Sequence, residues 1–416
     1  MAQYNFEGDL ENISDRQLQY INNVILERGF KNSKVTFAPV GKVGDNYAAT
    51  VKRITVEGDN GNLSMIAKIA PTNEMNRIQM NSPLLFENEH TMYFEVLPKL
   101  VQLQKEAGVP EKELLRYAEC YGSLSEKPNE VILLEDLKDS NFKILDRFVS
   151  LTDDAIKSVL KNFAKLHSFS YVLKVKEPET YNGYKEKLLD MWATQAANED
   201  MKLYLKNLED DTLTIVDDPE YIKVLKNKVG AALDTAARLS KADYDNKYAV
   251  ILQGDSWTTN IMFRFEDDTL AESIMIDYQI SRNSSPACDI LYLIFNCTDY
   301  ETRKEHYYDW IDYYHSELDK SLSNFNLKVN LVYPREELDA DLKRYGSFVF
   351  GLCICLASMQ LRNPDDAAKI LDAMKSENII DQIADLSVTQ LNEDTKNLFR
   401  VRVMGMVDSC TEFGLL

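Results

Sequence analysis

Histidine is scarce in this chain, with four residues in 416, and the six cysteines (Cys120, Cys288, Cys297, Cys353, Cys355 and Cys410) include no CxxC pair. A structural zinc site therefore lacks its usual donors, and a disulfide framework is not expected in a chain of this length. Glycine (15) and proline (11) are sparse, and no collagen-like, proline-rich or serine-rich tract and no internal repeat is found. Positive charge is also short: 47 Lys and Arg face 67 Asp and Glu, a formal net charge of -20. Such a surface repels phosphate backbones and anionic headgroups, so neither nucleic acid nor a membrane surface is expected as a partner. No protein partner is predicted. Long apolar runs are missing too. Residues 1–18 carry acids where a signal peptide has a basic end and an apolar stretch, and the most apolar run, 348–357, is too short to cross a bilayer. These absences point to a reducing compartment, most simply the cytosol.

What remains is a globular chain, 45% hydrophobic and 27% charged, too long for one ordinary core. Leu18, Ile21, Val24, Ile25 and Phe30 share a helical face within the first thirty-odd residues, closed by Gly29. Strands are expected at 34–39, 47–56 and 63–69, separated by Gly41-Lys42-Val43-Gly44 and Glu57-Gly58-Asp59-Asn60-Gly61. A helix over 84–100 and short strands near 117–121 and 130–134 follow. After Asp136 the pattern turns helical, beginning with an amphipathic helix over 152–173 that opens on Thr152-Asp153-Asp154. Strands at 248–252, 260–265 and 272–276 interrupt it, and the chain is mostly helical from 287 onward. The expected architecture is α+β: a small β-rich lobe, residues 1–136, then a larger, mostly helical lobe, 137–416.

Two short motifs carry chemistry. Gly254-Asp255-Ser256-Trp257-Thr258-Thr259-Asn260 sits on a loop after an apolar strand, and Asp277 follows another in Ile276-Asp277-Tyr278-Gln279. Phosphoryl transfer from ATP asks a protein mainly for positioning and charge neutralisation. It needs an aspartate beside the attacking hydroxyl, plus an asparagine oxygen and a second aspartate as hard ligands for Mg²⁺. A D-x-x-x-x-N loop with a strand-borne Asp about twenty residues on supplies that set. Taken alone, each motif is more often a loop cap or turn. Upstream, Lys68 lies in the apolar strand Met65-Ile66-Ala67-Lys68-Ile69-Ala70, where its bland reading is a solvent-facing lysine. Glu89, about twenty residues later on a helix, offers it a partner that would aim the ammonium at phosphates. The turn from Gly41 through Gly44-Asp45-Asn46-Tyr47 places backbone N–H groups where they could cover phosphate, a weak signal by itself.

The ordered series resembles the ecdysteroid kinase-like family of arthropods, a branch of the kinase-like fold that also holds choline and aminoglycoside kinases. It runs from Val43-Gly44-Asp45-Asn46-Tyr47 and Ala67-Lys68-Ile69-Ala70-Pro71 through Phe86-Glu87-Asn88-Glu89-His90-Thr91-Met92-Tyr93, Leu133-Leu134-Glu135-Asp136-Leu137 and Leu166-His167-Ser168 to the two acidic motifs. The likeness covers about residues 35 to 360. It implies a protein-kinase-like two-lobe fold binding ATP and Mg²⁺. Asp255 would be the catalytic aspartate and Asn260 and Asp277 the metal ligands. Lys68 would hold the phosphates, Glu89 would orient it, and Gly44 and Asn46 would lie on the nucleotide turn. Glu135 and Leu137 would flank the hinge that meets adenine. Asp289 would brace the catalytic loop, with a helix N-cap as its alternative reading. The acceptor implied is a small-molecule hydroxyl, an ecdysteroid first, with a choline- or ethanolamine-type alcohol or a detoxified xenobiotic as alternatives. No segment resembles a protein-kinase activation loop ending in Ala-Pro-Glu, which argues against a protein substrate. Two departures stand out: Gln253 replaces the family histidine before Gly254-Asp255, and Tyr278 follows Asp277 where phenylalanine is usual. Gln253 is the one feature favouring a rival reading, a nucleotide-binding ligand sensor without turnover. Among other residues, His167 reads as a satisfied core histidine and His90 as facing solvent or a neighbouring strand. Trp257 reads equally as acceptor wall or packing. Met191-Trp192 and the aromatics Tyr307, Tyr308, Trp310, Tyr313 and Tyr314 read first as helix-face packing.

Overall fold

The structure, a computed structural model, describes residues 6–31, 33–41, 49–79, 81–362, 366, 368 and 387–416. Gly44 and Asn46 lie outside the described residues. A six-stranded sheet opens the chain: β1 (Phe6–Gly8), β2 (Lys34–Pro39), β3 (Thr50–Gly58), β4 (Gly61–Ile69), β5 (Cys120–Leu124) and β6 (Val131–Glu135), in the order β1-β2-β3-β4-β6-β5. Neighbours are antiparallel except β1 and β2, which are parallel. The expected opening helix is confined to Asp15–Glu27, because Ser14 and Gln17 form a reciprocal capping box that fixes its start. Phe6–Gly8 instead pairs with β2, too short a strand to leave a periodic signature.

Successive side chains on a strand face opposite sides, and β6 uses both. Val131 and Leu133 join Ile21, Val24 and Ile25 of the first helix, with Val35, Phe37, Ile54 and Val56, in one apolar cluster. Ile132 and Leu134 join Phe86, Tyr93, Val96 and Leu97 in another. The sheet is thus gripped between the first helix and a second helical stretch, each fully buried Val, Leu or Ile contributing about 1.5–3 kcal/mol. That second stretch runs longer than expected, as Ser82–Thr91, a π-helical turn Met92–Val96, and Leu97–Glu106. Pro98 has no N–H to give, and Leu97 N–H donates to Met92 O five residues back, so the wide turn lets the helix pass the proline.

The larger region is built on the helix Asp153–Lys176, capped by Thr152, with the helices Pro286–Cys297, Tyr300–Ser323 and Arg335–Gln360 around it. Trp310 and Tyr314 are fully buried and Tyr307 nearly so, while Tyr308 is exposed, so that aromatic set is mostly packing. Here β7 (Lys143–Ile144), β9 (Ile261–Glu266) and β10 (Thr269–Met275) form a sheet, and β8 (Val250–Ile251) pairs with β11 (Asn283–Ser284). The β9–β10 hairpin turns through Asp267 and Asp268, both in the left-handed region that a tight hairpin turn requires. The expected strand 248–252 shrinks to Val250–Ile251: Leu252 N–H still donates across to Arg282 O at 2.9 Å, but the N–H groups of Gln253 and Gly254 then turn to the Asp289 carboxylate. One apolar cluster runs from Ala70 to Leu415, across the expected division at 136/137. The apolar run 348–357 belongs to Arg335–Gln360, which among the described residues is the helix long and apolar enough to cross a membrane, yet 72% of its apolar window is buried inside the molecule. All six cysteines are free.

One ion pair ties the first sheet to its flank. Arg77 Nη1 and Nη2 donate to Glu130 Oε2 and Oε1 at 2.8 and 2.6 Å, with both side chains buried. Removing one partner strands the other charge without water. Arg77→Ala is therefore expected to cost about 3–5 kcal/mol in urea unfolding; a loss below about 1 kcal/mol, the range of surface pairs, would refute a buried role.

Candidate active site

β4 carries Lys68 inward, opposite Ile132 of β6, and leaves it 8% exposed. The solvent-facing reading is thereby set aside. Its Nζ donates to Glu89 Oε2 at 2.5 Å and to Asp277 Oδ1 at 2.9 Å. Glu89 is 1% exposed on Ser82–Thr91, and Asp277 is half-buried just past β10. Burial disfavours the Lys68 ammonium, but Asp277 and Glu89 outweigh it and hold its pKa above the usual lysine value. Burial pushes Glu89 up to about 7; Lys68 opposes the rise and the Asp277 charge adds to it. One ammonium is shared by two carboxylates, so neither is fully compensated.

Asp255 and Asn260 lie beside this group. Asn260 Nδ2 donates to both the main-chain O and Oδ2 of Asp255, each at 3.0 Å, and Asn260 O accepts from Ile276 N–H at 2.9 Å, next to Asp277. Tyr292, on Pro286–Cys297, donates its hydroxyl to Asp255 Oδ1 at 3.0 Å. Burial first, then the Asp277 charge, pushes Asp255 up to about 8; Tyr292, Lys68 and Asn260 pull the other way. The five residues named for phosphoryl transfer are thus brought into one connected group.

Gln253 organises that group. Its Oε1 accepts from Asp255 N–H and Ser256 Oγ, both at 2.6 Å, and its Nε2 donates to Ile276 O and Asp277 O, both at 2.9 Å. An amide side chain offers two donors and two acceptor sites, and all four are used. Asp277 holds φ at +61°, a left-handed conformation uncommon in a non-glycine residue, and Gln253 grips its carbonyl. Gly254 has φ +90°, and a Cβ there would collide with Ile280 O, so only glycine fits. Asp289 Oδ2 and Oδ1 accept from Gln253 N–H and Gly254 N–H at 2.8 Å each, and His167 Nε2 meets Oδ2 at 3.1 Å. The helix cap is Ser285, whose Oγ accepts from Ala287 N–H, so the N-cap reading of Asp289 gives way to loop bracing. His167 is fully buried, its Nδ1 2.9 Å from Tyr314 Oη. His90 lies 2.8 Å from Ser123 Oγ on β5. Trp257 is buried in the large core.

At the end of β6, Glu135 N–H donates to Glu119 O at 2.8 Å, and its carboxylate accepts from Glu119 N–H at 3.2 Å. Leu137 is buried. Between them Asp136 pairs with Arg53 of β3 and accepts from Ser64 Oγ at 3.2 Å, fastening this connection to the sheet. The donor set fits magnesium. Among the described residues no group of three or more His, Cys, Asp or Glu could hold a metal alone. Asn260, however, spends its Nδ2 on Asp255 and keeps its amide oxygen for another partner. With Asp277 it gives two hard oxygens, as magnesium takes when phosphates and water complete its shell.

Sequence reading missed Tyr292 and Asn88. Tyr292 stands one helical turn after Asp289, a spacing that puts both on one face toward the loop.

A comparison with functionally curated proteins finds no sequence match. Among solved structures the chain is similar to a Plasmodium vivax ethanolamine kinase, at 15% identity over 97% of this chain and 91% of that one, with a TM-score of 0.45. It is also similar to a spectinomycin phosphotransferase in complex with ADP and spectinomycin, at 12% identity, 94% and 98% coverage and a TM-score of 0.44. A third is an aminoglycoside 2'-phosphotransferase bound to GDP, at 15% identity, 87% and 98% coverage and a TM-score of 0.43. The family model of the ecdysteroid kinase-like family matches residues 43–327, more than half of the chain. The chain therefore belongs to the ecdysteroid kinase-like family, and it is a phosphotransferase with an alcohol group as acceptor.

Proposed function

We propose that this protein transfers the γ-phosphoryl group of ATP to a hydroxyl of an ecdysteroid or a similar steroid or xenobiotic alcohol. The observation that carries the reading is the Lys68 ammonium held between Glu89 and Asp277, with the Asp255–Asn260 pair alongside. In this reading Asp255 accepts the proton of the attacking hydroxyl as its oxygen bonds to the γ-phosphorus and the bond to ADP breaks. Lys68 holds the nucleotide phosphates and Glu89 fixes its direction. The Glu135–Leu137 connection meets adenine. What magnesium supplies when bound is neutralisation of phosphate charge, and Asn260 and Asp277 would hold it. The lobes 1–136 and 137–416 divide the work between nucleotide and acceptor. Free thiols throughout favour a reducing compartment, and we place the protein in the cytosol. The acceptor assignment rests on family membership.

The sensor reading rested on Gln253, whose amide makes four hydrogen bonds, to Asp255 N–H, Ser256 Oγ, Ile276 O and Asp277 O, and this favours turnover as our reading.

Two experiments follow. ADP release from Mg-ATP, measured with ecdysteroids, steroid alcohols, choline and ethanolamine, should be stimulated by a steroid hydroxyl. Asp255→Asn should reduce it by about 100-fold or more, the usual range for a general base; near wild-type turnover in that variant would remove Asp255 from its role. Gln253→Leu strips four partners at once, so turnover should drop by at least about tenfold, with about 1–3 kcal/mol lost in urea unfolding. An unchanged variant would mean the loop holds its shape without that amide.

A further inference from the structure

Next to Glu89, Asn88 is 1% exposed yet entirely engaged in hydrogen bonding. Its Nδ2 donates to Leu189 O at 2.9 Å and to Gln279 O and Ser281 O at 3.2 Å each, and its Oδ1 accepts from Leu189 N–H at 3.0 Å. Three carbonyls face the nitrogen, more than its two hydrogens can each serve singly, and one N–H faces the oxygen, so the partners match this orientation of the amide and not its flip. None of those partners belongs to the first lobe. Leu189 lies in the turn between the helices Pro178–Lys187 and Met191–Thr194, and Gln279 and Ser281 lie in the segment just after Asp277. The same segment is fastened to the catalytic loop, since Ser281 Oγ donates to Gln253 O at 3.0 Å. Farther along, Lys187 pairs with Glu95 at 2.6 Å and Lys99 with Glu177 at 2.9 Å. Those pairs are partly exposed to water, which weakens them. The Asn88 amide, by contrast, makes its hydrogen bonds out of reach of water.

We propose that Asn88 is a positioning residue: it locks the helix Ser82–Thr91 onto the large lobe so that Glu89 stays on Lys68. This rests on the reading of Lys68 and Glu89 as the nucleotide-orienting pair. Nothing in the chemistry requires Asn88 to touch nucleotide or acceptor; it acts through Glu89. The turn at 188–190 and the segment after Asp277 are thereby coupled to the phosphate-facing ammonium across the lobe junction.

A double-mutant cycle tests this, read as Mg-ADP affinity by isothermal titration on the full chain. Asn88→Leu keeps the side-chain size and removes all four bonds; it should weaken Mg-ADP by about tenfold, and Glu89→Gln should weaken it comparably. If Asn88 acts through Glu89, the double variant binds no more than about twofold worse than Glu89→Gln alone. A merely structural role would make the two losses multiply, and that result would overturn the proposal, as would wild-type affinity in Asn88→Leu beside a weakened Glu89→Gln. Should Asn88→Leu not fold, Asn88→Ser, which admits water to the stranded carbonyls, carries the same cycle with the same outcomes. Wild-type protein that does not bind Mg-ADP, or a Glu89→Gln variant that binds normally, would overturn the functional reading and this proposal with it.

Discussion

The Lys68 ammonium is shared between a glutamate of a helix and an aspartate that follows a strand more than two hundred residues away. A buried lysine must be paired, and here each partner comes from a different part of the molecule. That constraint orders much of the fold. The helix Ser82–Thr91 and the π-helical turn after it must stay against the sheet, and Phe86, Tyr93 and Val96 share an apolar cluster with Ile132 and Leu134 of β6. The Asp277 backbone must stay in a left-handed conformation, and the Gln253 amide holds it there.

A buried polar network is costly unless every member is satisfied. Around the Gln253–Asn260 loop the two carboxylate oxygens of Asp289 receive two main-chain N–H groups, and the four positions of the Gln253 amide are filled. Asn88 repeats that economy at the junction of the lobes. The pKa values of Asp255 and Glu89 are both raised, first by burial, with the Asp277 charge adding to it.

Much of this was readable from the chain. Strand alternation and the turns at Gly58 and Gly61 located β3 and β4, and the order of Lys68, Glu89, Asp255, Asn260 and Asp277 named the residues that the fold gathers. The unreadable parts share a physical character. Asn88 finds its partners 101 to 193 residues away, and no local pattern encodes such a meeting. Tyr292 reaches Asp255 only because Asp289, one turn earlier, anchors the loop to the same helix face. The N-cap reading of Asp289 failed because Ser285-Pro286 had already supplied a better cap. β1 escaped notice because three residues paired in parallel carry no periodicity, and the helix through Pro98 ran long because a π-helical turn absorbed the proline.

The central claim is that this carboxylate-rich cluster binds nucleotide through a divalent cation. Titrating ADP into the protein with and without magnesium tests it most directly. The account predicts binding at least about tenfold tighter with magnesium, the difference disappearing in Asp277→Ala. Equal affinity for ADP with and without magnesium in the wild-type protein would contradict it.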